Sequence, residues 1–489
     1  MIELKGNREK YESAVKRAKE KKILLPTFKQ MINPEEIPQK VKDKLEDVGL
    51  WDVNPLNLFR ITWKNEPKKK GGKYSGVNYI TLPEEITGVK AKITCLVGKW
   101  FPTGAHKVGA TYGCLAPALA SGNFDPIKEK AVWPSTGNYC RGGAYNSQLL
   151  GCESIAILPE EMSQERFEWL KTVAGEIIAT PGCESNVKEI YDKCHELEAT
   201  RDDIVIFNQF AEFGNHLWHY HVTGNAMKEV FESIKGEDDV MAGVCVTSGS
   251  AGTVGSADFM KDQYCGSKVC VSEATECPTL LNNGFGGHRI EGIGDKHIPW
   301  IHNVKNTDMV MTVDDESCMK LVRLFNDPAG REYLKEKGVD AEIVDNLDLL
   351  GISGIANVLT CIKFAKYYEL GENDHVFTVL TDSMEMYNSR YKEMVDMEPE
   401  YNKAKAERDF ARYIGALTTD NILECNYYDR KRIHNLKYYT WVEQQGKTYE
   451  QINQQWYDRD YWSNIHKMVN EIDDVIERFN RDTGVIEDI

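Results

Sequence analysis

Lys107 closes a short polar turn, Pro102-Thr103-Gly104-Ala105-His106-Lys107, and leads into the small-residue run VGATYGCLAPALASG. An amine there can do chemistry in two ways: it can condense with a carbonyl, and, once released, it can take a proton from carbon. Alone it says little, because the chain carries 59 Lys plus Arg and most such side chains are solvated surface charges. Three later stretches give it company. Ser135-Thr136-Gly137-Asn138-Tyr139 follows an apolar run and opens a helical one, a place where free N–H groups suit a carboxylate. Thr247-Ser248-Gly249-Ser250-Ala251-Gly252-Thr253 has small residues that let backbone close on a phosphate, with hydroxyls as extra donors. Leu380-Thr381-Asp382-Ser383 puts a hydroxyl after another apolar run. Singly, each is an ordinary turn or helix cap; together they describe a site for a phosphorylated ligand beside a lysine.

The elements that must position these loops follow from periodicity. Val240 to Val246, Lys268 to Val271 and Val376 to Leu380 read as strands, as do Ala91 to Val97, Ala131 to Trp133, Ser154 to Leu158, Glu176 to Thr180 and Ile204 to Phe207. Helical stretches separate them, as in Ser163 to Ala174, and the alternation predicts parallel α/β sheets with helices on both faces. Leu56, Leu58 and Ile61 alternate after Asn54-Pro55 and predict a further strand. The predicted layout is a helical arm over 1–54, an α/β region with the lysine over 55–225, a larger α/β domain with the phosphate cup over 226–395, and a helical extension over 396–489. The two α/β units should meet near Asn208 to Gly224.

Composition narrows the function classes. A formal charge of −17 argues against general nucleic-acid binding, and the run Lys68-Lys69-Lys70 reads as a solvated loop. The 13 cysteines contain no CxxC pair and no Cys/His cluster at zinc spacing, so reduced buried thiols and no bound metal are expected. No apolar run approaches a membrane span and Met1 to Lys5 lacks a signal layout, so no membrane association and a cytoplasmic location are expected. A dinucleotide reading of the 247–253 loop, with Glu273 ending the next strand, lacks the G-x-G-x-x-G pattern, and no Walker Gly-Lys-Ser/Thr follows.

The run Pro159-Glu160-Glu161-Met162-Ser163-Gln164-Glu165-Arg166, continued by Ala174-Gly175-Glu176 and Thr180-Pro181-Gly182, resembles a segment of the fold-type II pyridoxal phosphate (PLP) enzymes of the cysteine synthase and cystathionine β-synthase family. Asn208-Gln209-Phe210 with Asn215 and Thr223-Gly224, then Gly292-Ile293-Gly294, then Gly351-Ile352-Ser353-Gly354, agree in order and spacing over roughly residues 55 to 390. The resemblance implies two doubly wound α/β domains with added helical extensions. It implies PLP held by Lys107 as a Schiff base, with His106, Asn138, Gly249, Ser250, Ala251, Gly252, Thr253 and Ser383 around the cofactor. It implies Ser135, Thr136, Gly137, Tyr139 and Gln209 around an amino-acid substrate. In this picture Lys107 is both anchor and base, and Cys140 is a packed thiol rather than a catalyst.

The chemistry so implied is β-elimination or β-replacement on an amino acid of the O-acetylserine, serine or cysteine type, through an aminoacrylate, with sulfide or a thiol as nucleophile or product. Two departures stand out. Ala105-His106-Lys107 is similar to the lysine motif of tryptophan synthase β chains, and Tyr139 stands where the family often has Thr. They keep open a tryptophan synthase β-like replacement or a thiolytic cleavage of an amino-oxo acid; a nucleotide-binding protein or non-catalytic homologue is the remaining rival. A homodimer, with room for a second subunit, is the expected assembly.

Overall fold

The computed structural model describes residues 2–135, 137–183, 186–294 and 296–489. Eleven strands are β1 (Tyr79–Leu82), β2 (Lys92–Val97), β3 (Lys130–Pro134), β4 (Glu153–Pro159), β5 (Glu176–Thr180), β6 (Ile204–Ile206), β7 (Val240–Thr247), β8 (Lys268–Ala274), β9 (Thr307–Val313), β10 (Asp374–Leu380) and β11 (Ile422–Glu424). They form a seven-stranded sheet ordered β1-β2-β10-β7-β8-β9-β11 and a four-stranded sheet ordered β5-β4-β3-β6. The small sheet is parallel throughout, and in the large one only the edge strands β1 and β11 run antiparallel. Parallel strands need helical crossovers that cover both faces, which is why their centres read as unbroken apolar runs. β2 joins the large sheet although it precedes β3, so neither sheet comes from one continuous stretch of chain.

The predicted strand at Leu56 to Ile61 is instead a 3₁₀ helix, Pro55–Arg60. Pro55 fixes the first turn, and the Asn54 side chain accepts the Leu56 N–H at 3.0 Å, so local capping outweighs the alternating pattern. Arg60 is buried there, and its guanidinium donates to the carbonyls of Leu45 and Val48, tying the N-terminal arm to the core.

The two chain ends come together. The N-terminal helix Arg8–Lys21 and the long C-terminal helix Tyr461–Thr483 share a face, with Tyr11 donating to Asp482 at 2.6 Å and the Asn480 amide pairing with both backbone groups of Leu25. Both pack on the helix Lys107–Ser121, behind the lysine. The extensions thus form a layer beneath the helix that carries Lys107.

Candidate active site

Lys107 is the first residue of its helix, and its Nζ donates to Ser250 Oγ at 2.9 Å. This bond brings the amine to the 247–253 loop, which connects β7 to the helix Val254–Gln263. Ser250 Oγ also accepts from Asn215 Nδ2 at 3.1 Å, and the Asn357 side chain takes the Thr247 N–H at 2.9 Å. The loop is a tight concave turn. Ala251 sits in the left-handed region at φ 61°, a strained conformation that persists where the surroundings enforce it. A Cβ on Gly252 would lie 2.1 Å from Asn215 Oδ1, so only glycine fits. Gly249 and Thr253 complete the loop, the latter with its hydroxyl turned to the Thr247 carbonyl.

Asn138 begins the helix Asn138–Leu149, and its Nδ2 donates to Asp382 Oδ2 at 2.6 Å. Asp382, directly after β10, also accepts from Tyr387 OH at 2.8 Å and lies 3.9 Å from Arg166 Nη2. Arg166 pairs with Glu291 at 2.6 Å, and Glu291 in turn accepts from Arg390 at 2.7 Å. This buried set links the small-sheet helices to the large sheet. Burial pushes the Asp382 carboxyl up, against the downward pull of Arg166, Asn138 and Tyr387. Sequence reading singled out Asp382 only as a turn residue and gave Arg166 no role; the carboxylate, amide and guanidinium meet only through the crossing of two sheets.

Other residues singled out from sequence fall as follows. Ser383 is buried next to Asp382, and its hydroxyl makes no hydrogen bond among the described residues. Ser135 Oγ accepts the Gly137 N–H at 3.0 Å; Thr136 lies outside the described residues. A Cβ on Gly137 would meet the Arg166 guanidinium at 2.6 Å, which fixes that residue as glycine. Gln209 is buried at the turn whose carbonyl Asn215 caps. Tyr139 turns inward, its ring edge-on to Trp133 and its hydroxyl on Cys114 Sγ at 3.5 Å, so it offers the site backbone rather than phenol. His106 also faces inward, between Trp63 and His219, with Nε2 3.2 Å from Thr381 Oγ1. Burial, then the neighbouring Lys107 charge, holds its ring well below the usual histidine range and therefore neutral. Cys140 donates to the Gly137 carbonyl at 2.9 Å and burial pushes its thiol up to about 12, so it is a packed thiol rather than a nucleophile.

Three buried polar atoms on these loops, Ser248 Oγ, Asn138 Oδ1 and Asn215 Oδ1, have no hydrogen-bond partner among the described residues. Such orphans cost about 1–3 kcal/mol each unless a ligand or water completes them. A tight small-residue turn, a lysine at its edge and unspent hydrogen-bonding atoms fit a phosphorylated aldehyde. A model of the family described as "Pyridoxal-phosphate dependent enzyme" matches residues 99–331. A cysteine synthase of Staphylococcus aureus is 30% identical over 291 residues, covering 59% of this chain and 84% of that protein.

The chain belongs to the pyridoxal-phosphate dependent enzyme family. Its cofactor is therefore PLP. A cystathionine β-synthase of Saccharomyces cerevisiae is 25% identical over 319 residues, covering 63% of this chain and 59% of that protein. The fold is shared with the O-acetylserine dependent cystathionine β-synthase of Helicobacter pylori, with TM-score 0.53 and 22% identity over 64% of this chain and 94% of that one. It is likewise shared with a cysteine synthase of Entamoeba histolytica, with TM-score 0.56 and 20% identity over 70% and 93%. The family model leaves the residues before 99 and after 331 unmatched, and the helical ends that back the Lys107 helix lie there.

Proposed function

We propose that this enzyme carries out β-elimination or β-replacement on a small amino acid, with sulfide or a thiol as product or nucleophile, and that Lys107 is its catalytic base. The observation that supports the reading is the 2.9 Å bond between Lys107 Nζ and Ser250 Oγ, which brings an amine able to transfer protons beside the tight 247–253 turn. The named chemistry of the relatives in Staphylococcus aureus and Saccharomyces cerevisiae supports it. PLP, when bound, supplies the electron sink for expelling a β-substituent.

The chain's own residues supply the rest. Gly249 to Thr253 hold the phosphate with backbone N–H groups and the hydroxyls of Ser250 and Thr253, at the start of a helix whose dipole favours an anion. Asn138, its amide oriented by Asp382, and Ser383, with a neutral hydroxyl, would hold the cofactor ring. A neutral hydroxyl against the ring nitrogen would not keep that nitrogen protonated, a setting that would suit loss of a β-substituent. Ser135, Thr136, Gly137 and Gln209 receive the substrate carboxylate, Tyr139 contributing its backbone. His106 serves as a neutral wall behind Lys107. The division into units at about residue 225, a cytoplasmic location and a homodimer belong to the same reading. No helix among the described residues is long and apolar enough to cross a membrane.

The decisive experiment is borohydride reduction of the cofactor-loaded enzyme followed by peptide mapping, then a panel of β-substituted amino acids with and without sulfide. Label on Lys107, release of pyruvate without sulfide and formation of cysteine with it are expected. Label on another lysine, or turnover confined to substrates without a β-leaving group, would overturn the assignment.

A further inference from the structure

His216, Asp258 and His466 bring ligand atoms to within 4.8 Å of one another. Each comes from a different element: His216 from the helix Phe213–Trp218, Asp258 from the helix Val254–Gln263 and His466 from the C-terminal helix Tyr461–Thr483. All three are buried, the first two completely. His216 and His466 stand 250 residues apart in the chain, so no spacing pattern announces the group.

The two imidazoles face each other Nε2 to Nε2 at 3.0 Å. One proton can bridge them; an ion in its place would accept a lone pair from each ring. The separation suits that exchange, because ligand atoms around a tetrahedral ion stand about 3.3 Å apart when the bonds are about 2.0 Å. The Tyr220 ring stacks on that of His466 with centroids 3.6 Å apart and holds its orientation. Asp258 is an interior carboxylate that forms no ion pair among the described residues. Its oxygens accept only the side-chain amides of Asn303 and Asn306, at 3.2 Å each, so each oxygen keeps a lone pair. Interior carboxylates are ordinarily paired with a cation or bound to a metal, and amides of this kind are the usual outer support of a metal-bound carboxylate. A Cβ on Gly255 would lie 2.7 Å from the His216 carbonyl oxygen, so glycine is what lets the Asp258 helix come this close. A cavity of about 450 Å³ lined by Tyr220, His221, Asp262, Ser463 and Lys467 opens onto His466, which gives an ion a path from solvent and water for a remaining position. Two imidazoles and a carboxylate, with no thiolate, suit zinc and its first-row neighbours rather than calcium or magnesium.

We propose that His216, Asp258 and His466 bind a zinc ion that clamps the C-terminal helix to two segments adjoining the 247–253 loop. One of those segments carries Asn215, whose amide donates to Ser250 Oγ at 3.1 Å, and the other continues directly from the loop. The ion fixes the helical extension behind the cofactor wall and takes no part in the chemistry, so the clamp holds whatever the reaction type.

The test uses untagged, cofactor-loaded enzyme, stripped with a chelator and then dialysed against zinc. One zinc per chain is expected, with a rise in the thermal midpoint that magnesium does not reproduce. His216→Gln and His466→Gln should each weaken zinc at least about hundredfold and abolish that rise with the cofactor absorbance unchanged, since losing a ligand costs more than losing its outer support. Cys265→Ser, which removes the exposed thiol, should bind zinc as the unaltered enzyme does. X-ray absorption at the zinc edge, which needs no variant to fold, should show two imidazoles and oxygen without sulfur. Failure to bind zinc, binding indifferent to both histidine substitutions, loss of binding in Cys265→Ser, or sulfur around the zinc would overturn the site. Each of these outcomes is separate from the labelled lysine and the substrate panel, which decide the β-replacement reading.

Discussion

Lys437 and Lys107 both lie inside the fold on helical segments, and their surroundings differ in kind. Lys437 Nζ donates to the carbonyls of Trp300 and His302 and to Gln455 Oε1, at 2.9, 2.8 and 2.6 Å, so each ammonium hydrogen has an acceptor. That seam is finished: the lysine bolts the C-terminal layer to the loop after Ile298, and burial holds its amine well below the usual range. The Lys107 region is unfinished. Its loops carry the orphaned Ser248, Asn138 and Asn215 atoms and a left-handed Ala251, costs that a bound phosphate and ring would offset. An enclosed lysine alone therefore does not mark function; the unspent hydrogen-bonding capacity around Lys107 is what supports the role proposed for it.

Exchanging the two lysines' fates is the strongest way to break this comparison. Lys107→Ala should lower turnover about 10⁴-fold or more while leaving the denaturation midpoint within error, because it removes the proposed base and disturbs little packing. Retained turnover would collapse the distinction. Arg166→Met should cost about 3–5 kcal/mol, since it leaves Asp382 without its nearest cation and strips Glu291 of one of two. Urea unfolding at constant m-value measures it. A loss below about 1 kcal/mol would mean that the network near the cup does not hold the two sheets together. Lys437→Met should cost about 2–3 kcal/mol through orphaned acceptors, with activity per folded molecule unchanged. An activity loss without a stability loss would place Lys437 in the chemistry.

The smallest effect is in pH dependence. Burial, together with like-charged neighbours, holds His216 at about 3 and His466 at about 2; their Nε2 atoms are 3.0 Å apart. Both are lowered, so between about pH 6.5 and 3 the unfolded chain binds more protons than the folded one. Stability is full above pH 6.5 and falls with acid. Each histidine should account for about 2–3 kcal/mol between pH 6.5 and 4.5, and His466→Gln should flatten the slope by that amount. An unaltered slope would show that the seam opens to water. The same pair and Asp258 bring ligand atoms within 4.8 Å, a grouping invisible in Cys/His spacing; Asp258 is already engaged by Asn303 and Asn306.

The legible parts of the chain share a cause. β7, β8 and β10 are runs of β-branched and apolar residues because both sheet faces are covered, and the cup between β7 and its helix is readable because only small residues close so tight a turn. β9, with Asp308 and with Met309 and Met311 on either side of Val310, and the short edges β1 and β11 lack that signature and were missed. Pro55 and Asn54 turned an alternating pattern into a 3₁₀ helix through local capping.

The sequence by itself determined the α/β class and the family and pointed to Lys107 and the 247–253 loop, since these depend on residue types at short spacing. Only the tertiary structure decided which side chains face inward. It turned Tyr139 and His106 into the core, joined Asp382 to Asn138 and Arg166 to Glu291, and left Arg141 without a carboxylate among the described residues. Those outcomes depend on how two sheets cross and which helices pack beneath them, and no local pattern encodes which distant partner a buried charge will meet.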